Sequence, residues 1–228
     1  MTRGIFVTGT DTNVGKTVLS AAVMIRCRGI VPLRYWKPVQ TGTLQDDDTA
    51  EVQRLAGLSA EDILTEGYRF PDPVSPHLAA ERADIPINVH RLGRMLAEGT
   101  QNEETRWIVE GAGGLLVPLN LANTIGEFIV SLHLPAIIAA RSGLGTINHT
   151  LLTIEALRRR EVPVAGVVLI GEPNEDNART IGHMGQVPIL GQMPRFDPLT
   201  PEALAKWARE EFDPLGILAR FLKEYPPQ

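Results

Sequence analysis

The sequence predicts an α/β fold: a parallel sheet with helices on both faces. Three observations carry that expectation. Strand-like and helix-like segments alternate along the chain. The strand segments, Trp107-Ile108-Val109 among them, are continuous apolar runs, as expected of strands buried on both faces. The first strand leads straight into Gly9-Thr10-Asp11-Thr12-Asn13-Val14-Gly15-Lys16-Thr17, which opens an apolar helix. Glycines let such a backbone curl with its N–H groups inward, and the helix N-terminus adds partial positive charge at the same place. The stretch therefore reads as a phosphate-binding P-loop, and the expected fold is P-loop NTPase-like. The match to G-x-x-x-x-G-K-S/T is displaced at one end: Thr10 stands where the first glycine belongs, and Gly9 lies one residue further out.

In chain order, residues 4–8 form the first strand. The first helix starts at Gly15 or Lys16, is apolar on nearly every side, and ends at Arg26, Arg28 and Gly29. A second strand spans about residues 31–36, and Pro38 stops it, which leaves Lys37 at its C-terminal end. Residues 39–47 are polar and read as a loop. Residues 48–55 read as a helix with Asp48 and Glu51 in capping-box spacing. A proline-rich loop at 71–76 precedes helices at 77–83 and 90–98. The strand at 107–109 ends at Glu110 and runs into Gly111-Ala112-Gly113-Gly114. Ile125, Phe128, Ile129 and Leu132 recur at i, i+3, i+4, i+7 and mark a helix. Residues 136–140 are a fully apolar strand. A helix follows with Ile147, Leu151, Ile154 and Leu157 on one face, finished by Arg158, Arg159 and Arg160, where the dipole favours cations. Strands at 164–169 and 187–190 and helices at 202–211 and 215–223 complete the chain. No repeat, low-complexity tract or linker divides it, so residues 1–228 read as a single domain.

Hydrophobic residues make up 43% and charged residues 21%, as in ordinary soluble proteins. A net charge of −5 without basic runs speaks against nucleic acid as a partner. Cys27, the one cysteine, excludes an intramolecular disulfide and reads as a small core residue. The longest apolar runs fall far short of the ~20 residues that a membrane helix needs. The N-terminus is already strand and P-loop, which leaves no room for a signal peptide. The expectation is a cytoplasmic enzyme with no membrane partner.

Parallel sheets of this kind bind ligands at the C-terminal ends of their strands. The P-loop, Lys37 and Glu110 all fall on that edge. Lys16 can reach terminal phosphates, and the Thr17 hydroxyl can ligate Mg²⁺. Lys37 alone reads equally well as a solvated strand-end lysine. Asp48 has a rival reading as a plain N-cap, and any of Asp46, Asp47 and Asp48 suits a cation. Glu110 resembles the strand-end acid that stands beside the P-loop in many nucleotide hydrolases.

Five motifs then occur in a telling order: the P-loop, Lys37-Pro38-Val39, Ser75-Pro76-His77, Glu110-Gly111-Ala112-Gly113-Gly114 and Gly145-Thr146-Ile147-Asn148-His149. In this the chain resembles the dethiobiotin synthetase family over essentially its whole length. The resemblance implies an enzyme that closes a ureido ring on 7,8-diaminopelargonic acid with CO₂, ATP and Mg²⁺, through a carbamate and a carbamic–phosphoric anhydride. It implies that Lys16 and Lys37 are catalytic and that Thr17, Asp48 and Glu110 are the metal set. It places the nucleotide on Asn13, Val14, Gly15, Lys16, Thr17 and Val18, with Asp48, Glu110, Gly111, Ala112 and Gly113 beside it. The base then falls near Ile170, Gly171, Pro194, Arg195 and Phe196. Thr12, Thr41 and Ser75 border the substrate, although Ser75-Pro76-His77 reads equally as a rigid turn with a helix cap. Gly145, Thr146, Ile147 and Asn148 receive the distant carboxylate from across a homodimer interface. Ile147 and Leu151 could help to build that interface or could face their own core. His149 reads as structural, and the histidines show no metal-ligand spacing.

Two positions depart from the family pattern. Asn13 stands where some members carry Glu, so no essential acid or base is expected there. Ile170-Gly171 replaces a segment bearing an Asn that reads adenine, so base selectivity is expected to be loose. The alternatives are a related P-loop amide ligase or small-molecule kinase, and a nucleotide-switch ATPase. Such switches usually carry a further lysine early in the P-loop, and residues 9–14 contain none.

Overall fold

Ile5, Phe6 and Val7 have no solvent exposure, because their strand β1 (Gly4–Gly9) is the middle strand of a seven-stranded sheet. The structure is a computed structural model that describes residues 2–100, 102 and 104–224. On one side of β1 lie β6 (Arg106–Gly114), β2 (Leu33–Trp36) and the edge strand β4 (Ile63–Leu64). On the other side lie β7 (Ala136–Arg141), β8 (Val164–Ile170) and β9 (Ile189–Met193). Every pairing in the sheet is parallel. The expected parallel sheet is what forms.

Side-chain alternation divides the core between the two faces. Phe6, Trp107, Val109 and Ile138 belong to one apolar cluster. Ile5, Val7, Ile108 and Ile137, their neighbours in sequence, belong to the other. Helices α4 (Val89–Gly99), α5 (Ile125–Leu132), α6 (Thr146–Arg158) and α7 (Glu175–Gly185) cover the first face. Helices α1 (Lys16–Cys27), α2 (Asp48–Ala56), α8 (Pro201–Glu210) and α9 (Ile217–Glu224) cover the second. The short α3 (Pro76–Arg82) lies among the crossover segments. Among the described residues no helix is long and apolar enough to cross a membrane.

The structure corrects several local expectations. Residues 39–47 are not all loop: Val39–Gln40 is a short strand, β3, paired in parallel with β5 (Tyr68–Arg69). The strand carrying Glu110 does not stop there but runs on to Gly114, which pairs with Gly9 after a register shift. The sequence reading missed α7 altogether. Only Ala178, Ile181 and Gly185 of that helix are buried, so its apolar periodicity is faint. The last sheet strand lies at Ile189–Met193 rather than 187–190, because the turn after α7 uses Val187 and Pro188.

Candidate active site

The P-loop wraps on two left-handed residues, Asn13 (φ 52°) and Gly15 (φ 95°). Asn tolerates that region better than most residues, and Gly carries no Cβ penalty there. The displaced glycine has a physical reason. A Cβ at Gly9 would lie 2.7 Å from Val14 Cγ2, and Val14 is tucked beneath the loop at 2% exposure. Thr10 instead bonds through its N–H to the Ala139 carbonyl at 3.0 Å, as a strand residue would. Lys16 folds back over the loop and donates to the Asp11 carbonyl at 2.9 Å. Burial first, and then the neighbouring Lys37 charge, pull its ammonium down to about 8, against the opposing pull of Glu110, Asp48 and Asp11.

Strand register builds the rest. Trp36 pairs with Val109 and Val7 pairs with Glu110, so Lys37 and Glu110 emerge side by side next to the P-loop. Lys37 is buried, not solvated. Its Nζ donates to Glu110 Oε1 at 2.7 Å and to the Gly111 carbonyl at 3.1 Å, and it pairs with Asp48 Oδ2 at 2.7 Å. Burial alone would lower this ammonium, but the two carboxylates outweigh it and hold Lys37 above the ordinary lysine value. Asp48 shows the mirror image: burial would raise its carboxyl, while Lys37, Thr17 and Lys16 hold it below the usual carboxylate range.

Thr17 Oγ1 lies 2.9 Å from Asp48 Oδ1 and 3.0 Å from Glu110 Oε1. One hydroxyl proton cannot serve both acceptors fully, so three hard oxygens gather around one point. Among the described residues no group of three or more His, Cys, Asp or Glu side chains could hold a metal. Two carboxylates and a hydroxyl suit Mg²⁺, which usually keeps waters and takes further oxygens from a bound phosphate.

The three consecutive aspartates divide their work. Asp47 is the N-cap of α2 and accepts the Ala50 N–H at 3.0 Å. The expected cap and capping box at Asp48 and Glu51 are therefore not what forms. Glu51 pairs with Arg54 on the helix surface, and Asp48, in the first turn, turns inward to Thr17 and Lys37. The Asp46 carbonyl takes the Gln40 amide at 2.7 Å.

Most of the residues expected in the site meet in one open cleft of about 760 Å³. The P-loop contributes Thr12, Asn13, Gly15, Lys16, Thr17 and Val18. Lys37, Thr41, Asp48, Glu110, Ala112 and Gly113 line it as well. Gly111 is represented by its carbonyl, and Val14 lies buried behind the loop. Gln40, Gln45, Ala50, Glu51 and Arg54 also line the cleft and were missed. Ala50, Glu51 and Arg54 follow the N-cap Asp47 at helical spacing, the signal that could have found these three; Gln40 and Gln45 lie outside α2 and carry no such signal.

The remaining residues lie elsewhere. Ser75 occupies the N-cap position of α3 without a side-chain cap bond. Gly145 (φ 91°) opens α6, with Asn148 exposed and Leu144 fully exposed. Ile147 and Leu151 pack against the core of their own chain. Ile170 closes over the outside of the P-loop, its Cδ1 2.9 Å from where a Gly15 Cβ would stand. At Gly171 a Cβ would meet Ser142 Oγ at 2.6 Å, so no side chain fits there. Pro194, Arg195 and Phe196 follow β9, with Phe196 packed partly on the core. Asn174 caps α7 by accepting the Asn177 N–H through Oδ1, and Asn177 donates Nδ2–H to the Ser142 carbonyl at 2.8 Å, so each amide has one end engaged.

Comparison with known proteins places this geometry. Residues 3–203 match the family model described as an AAA domain. The ATP-dependent dethiobiotin synthetase BioD of Brucella melitensis is 46% identical over 204 residues, covering 90% of this chain and 92% of that protein. The chain belongs to the dethiobiotin synthetase family. The ATP-dependent dethiobiotin synthetase BioD of Rhodopseudomonas palustris is 44% identical over 213 residues, covering 93% of this chain and 95% of its own. Among solved structures, the MinC:MinD cell division protein complex of Aquifex aeolicus aligns with a TM-score of 0.57 at 15% identity, covering 99% of this chain and 98% of that one. A ParA family ATPase from Chlorobium tepidum aligns at 0.53 and 12% identity, covering 99% of both chains. These likenesses concern the fold alone: a P-loop NTPase-like parallel sheet. Lys16, Lys37 and Arg54 are the cations that line the cleft.

Proposed function

We propose that the chain is an ATP-dependent ligase that forms dethiobiotin, closing the ureido ring of 7,8-diaminopelargonic acid with CO₂. The observation that supports it best is Lys37. A second lysine held in the P-loop cleft suits an enzyme that must neutralise two anions at once, a carbamate and the γ-phosphate. In the first step one substrate amine adds to CO₂ and loses a proton, giving a carbamate. A carbamate oxygen then displaces ADP from the γ-phosphorus, forming a carbamic–phosphoric anhydride. The second amine attacks the anhydride carbonyl, expels inorganic phosphate and closes the ring.

The chain's residues position and neutralise in these steps. Lys16 and the P-loop N–H groups hold the terminal phosphates. Lys37, already ionised by its carboxylates, faces the carbamate and the γ-phosphate. Thr12 and Thr41 flank the substrate within the cleft. Thr17, Asp48 and Glu110 would hold Mg²⁺, which supplies charge neutralisation at the phosphate oxygens. The N-terminus of α6, where Gly145 and Asn148 are exposed, fits a carboxylate and is assigned to the substrate of a neighbouring subunit, so the functional unit is a homodimer.

The test incubates the protein with diaminopelargonate, ¹⁴C-bicarbonate and MgATP. Dethiobiotin, ADP and phosphate are expected in equal amounts, with the label in the ureido carbon. ATP hydrolysis without a labelled ring would overturn the assignment. Light scattering under assay conditions is expected to show a dimer, and an active monomer would refute the shared site.

A further inference from the structure

Glu110 is a carboxylate with no solvent exposure, set inside a parallel sheet. A buried carboxylate requires its charge matched and its oxygens hydrogen-bonded. Its two oxygens have separate partners. Oε1 receives Lys37 Nζ at 2.7 Å and Thr17 Oγ1 at 3.0 Å. Oε2 receives the Tyr35 hydroxyl at 2.9 Å.

The strand register explains why Tyr35 reaches it. Tyr35 pairs with Ile108, so Glu110 is its diagonal neighbour on the same face of the sheet. Lys37, two residues on, emerges toward the same carboxylate. Tyr35 is itself fully buried in the core cluster beneath α1 and α2, so its ring is fixed. Burial first, and then the Glu110 charge, push its hydroxyl well above the ordinary tyrosine value, so it stays a donor.

The three donors to Glu110 differ in what else they must do. Under the proposed function Lys37 turns to the carbamate and γ-phosphate, and Thr17 turns to the cation. Tyr35 faces no ligand. We propose that Tyr35 is a positioning residue: its hydroxyl pins Glu110 by Oε2, aims Oε1 at Thr17, and keeps the buried carboxylate partnered when Lys37 engages the reacting anions. The inference rests on the reading of Glu110 as a cation-facing group.

Tyr35→Phe keeps the ring and removes only the hydroxyl. Binding of Mn²⁺, read by electron paramagnetic resonance at saturating ADP, is the primary measurement. Loss of an outer partner of a ligating carboxylate should weaken Mn²⁺ binding about tenfold. In kinetics kcat should fall, while KM for diaminopelargonate should not change. A purely structural tyrosine would lower the melting temperature and leave the Mn²⁺ affinity of the folded protein untouched, which would overturn the proposal. Glu110→Gln separates the two layers of the argument. If it binds Mn²⁺ like the unmodified protein, Glu110 does not face the cation, and the proposal falls together with that reading. If it weakens Mn²⁺ binding while Tyr35→Phe does not, only the role of Tyr35 is refuted. The double variant Tyr35→Phe/Glu110→Gln leaves no buried carboxylate to satisfy, while Lys37 keeps its pairing with Asp48, and it carries the test even if the single phenylalanine variant folds poorly. It should bind Mn²⁺ no more weakly than Glu110→Gln alone, and any further loss would show that Tyr35 does not act through Glu110.

Discussion

Lys37→Met should cost stability as well as activity, and the structure sets the size of the effect. Methionine fills the space of the lysine stem and removes the ammonium. Lys37 is 3% exposed, Glu110 0% and Asp48 28%, so the change leaves one carboxylate wholly buried without its counter-charge. Breaking a buried pair typically costs 3–5 kcal/mol. Thr17 and Tyr35 still donate to Glu110, and Asp48 retains some contact with water, so the lower end applies: about 3 kcal/mol. For a chain of this size that corresponds to a fall of roughly 6–12 °C in Tm. The measurement is thermal unfolding by circular dichroism at pH 7 with EDTA present. Lys37 is held above its ordinary 10.5, so its contribution is fully present below that pH and is lost as pH rises further. Asp48 is held below its ordinary 3.8, so its share is lost only as pH falls past that value. At pH 7 both are intact. Lys37→Met/Glu110→Gln, which leaves no lone buried charge, should recover most of the lost Tm. Added Mg²⁺ should rescue the single variant in part but not its turnover, which should fall on the order of 10²-fold or more. A single variant melting within about 2 °C of the unmodified protein, less than 1 kcal/mol on the same scale, would refute the argument, as would a double variant less stable than either single one.

Lys16 titrates near 8 in the ligand-free protein, and bound phosphates favour its charged form. Nucleotide affinity should therefore fall as pH rises through 8, and binding at pH 8.5 should take up roughly three-quarters of a proton; calorimetry in buffers of different ionisation heat measures this, and zero uptake would refute it. Base selectivity should be loose, because Ile170 and Gly171 offer no side-chain donor or acceptor, and Asn174 and Asn177 each have one end of the amide engaged, which leaves neither free to pair with both a donor and an acceptor of adenine. GTP, CTP and UTP should support turnover within roughly tenfold of ATP, a difference of ~1.4 kcal/mol; a preference for ATP above about a thousandfold, ~4 kcal/mol, would reveal a hydrogen-bonding group that reads adenine.

The sequence by itself determined the parts that depend on local and periodic chemistry. The P-loop was legible because strand, glycine turn and helix N-terminus are contiguous at residues 4–17. The parallel sheet was legible because strands buried on both faces must be apolar throughout, as Ile137 and Ile138 are in β7. Faint periodicity hid α7, whose polar positions face water and whose few buried ones include glycine. The tertiary structure alone decided the charge network. Asp46, Asp47 and Asp48 are equivalent as letters, yet Asp46 lies in the loop, Asp47 is the extended N-cap of α2 and Asp48 is its first helical residue. Which one faces Thr17 follows from where α2 begins and how it seats against α1. Tyr35 and Glu110 stand 75 residues apart, and only the pairing of Tyr35 with Ile108 brings hydroxyl to carboxylate. Lys37 read equally as a solvated lysine because its burial comes from Asp48 and Glu110, groups that other segments supply. Strand register and helix seating are set by packing summed over the whole chain, and that is why they fix what no single stretch of sequence encodes.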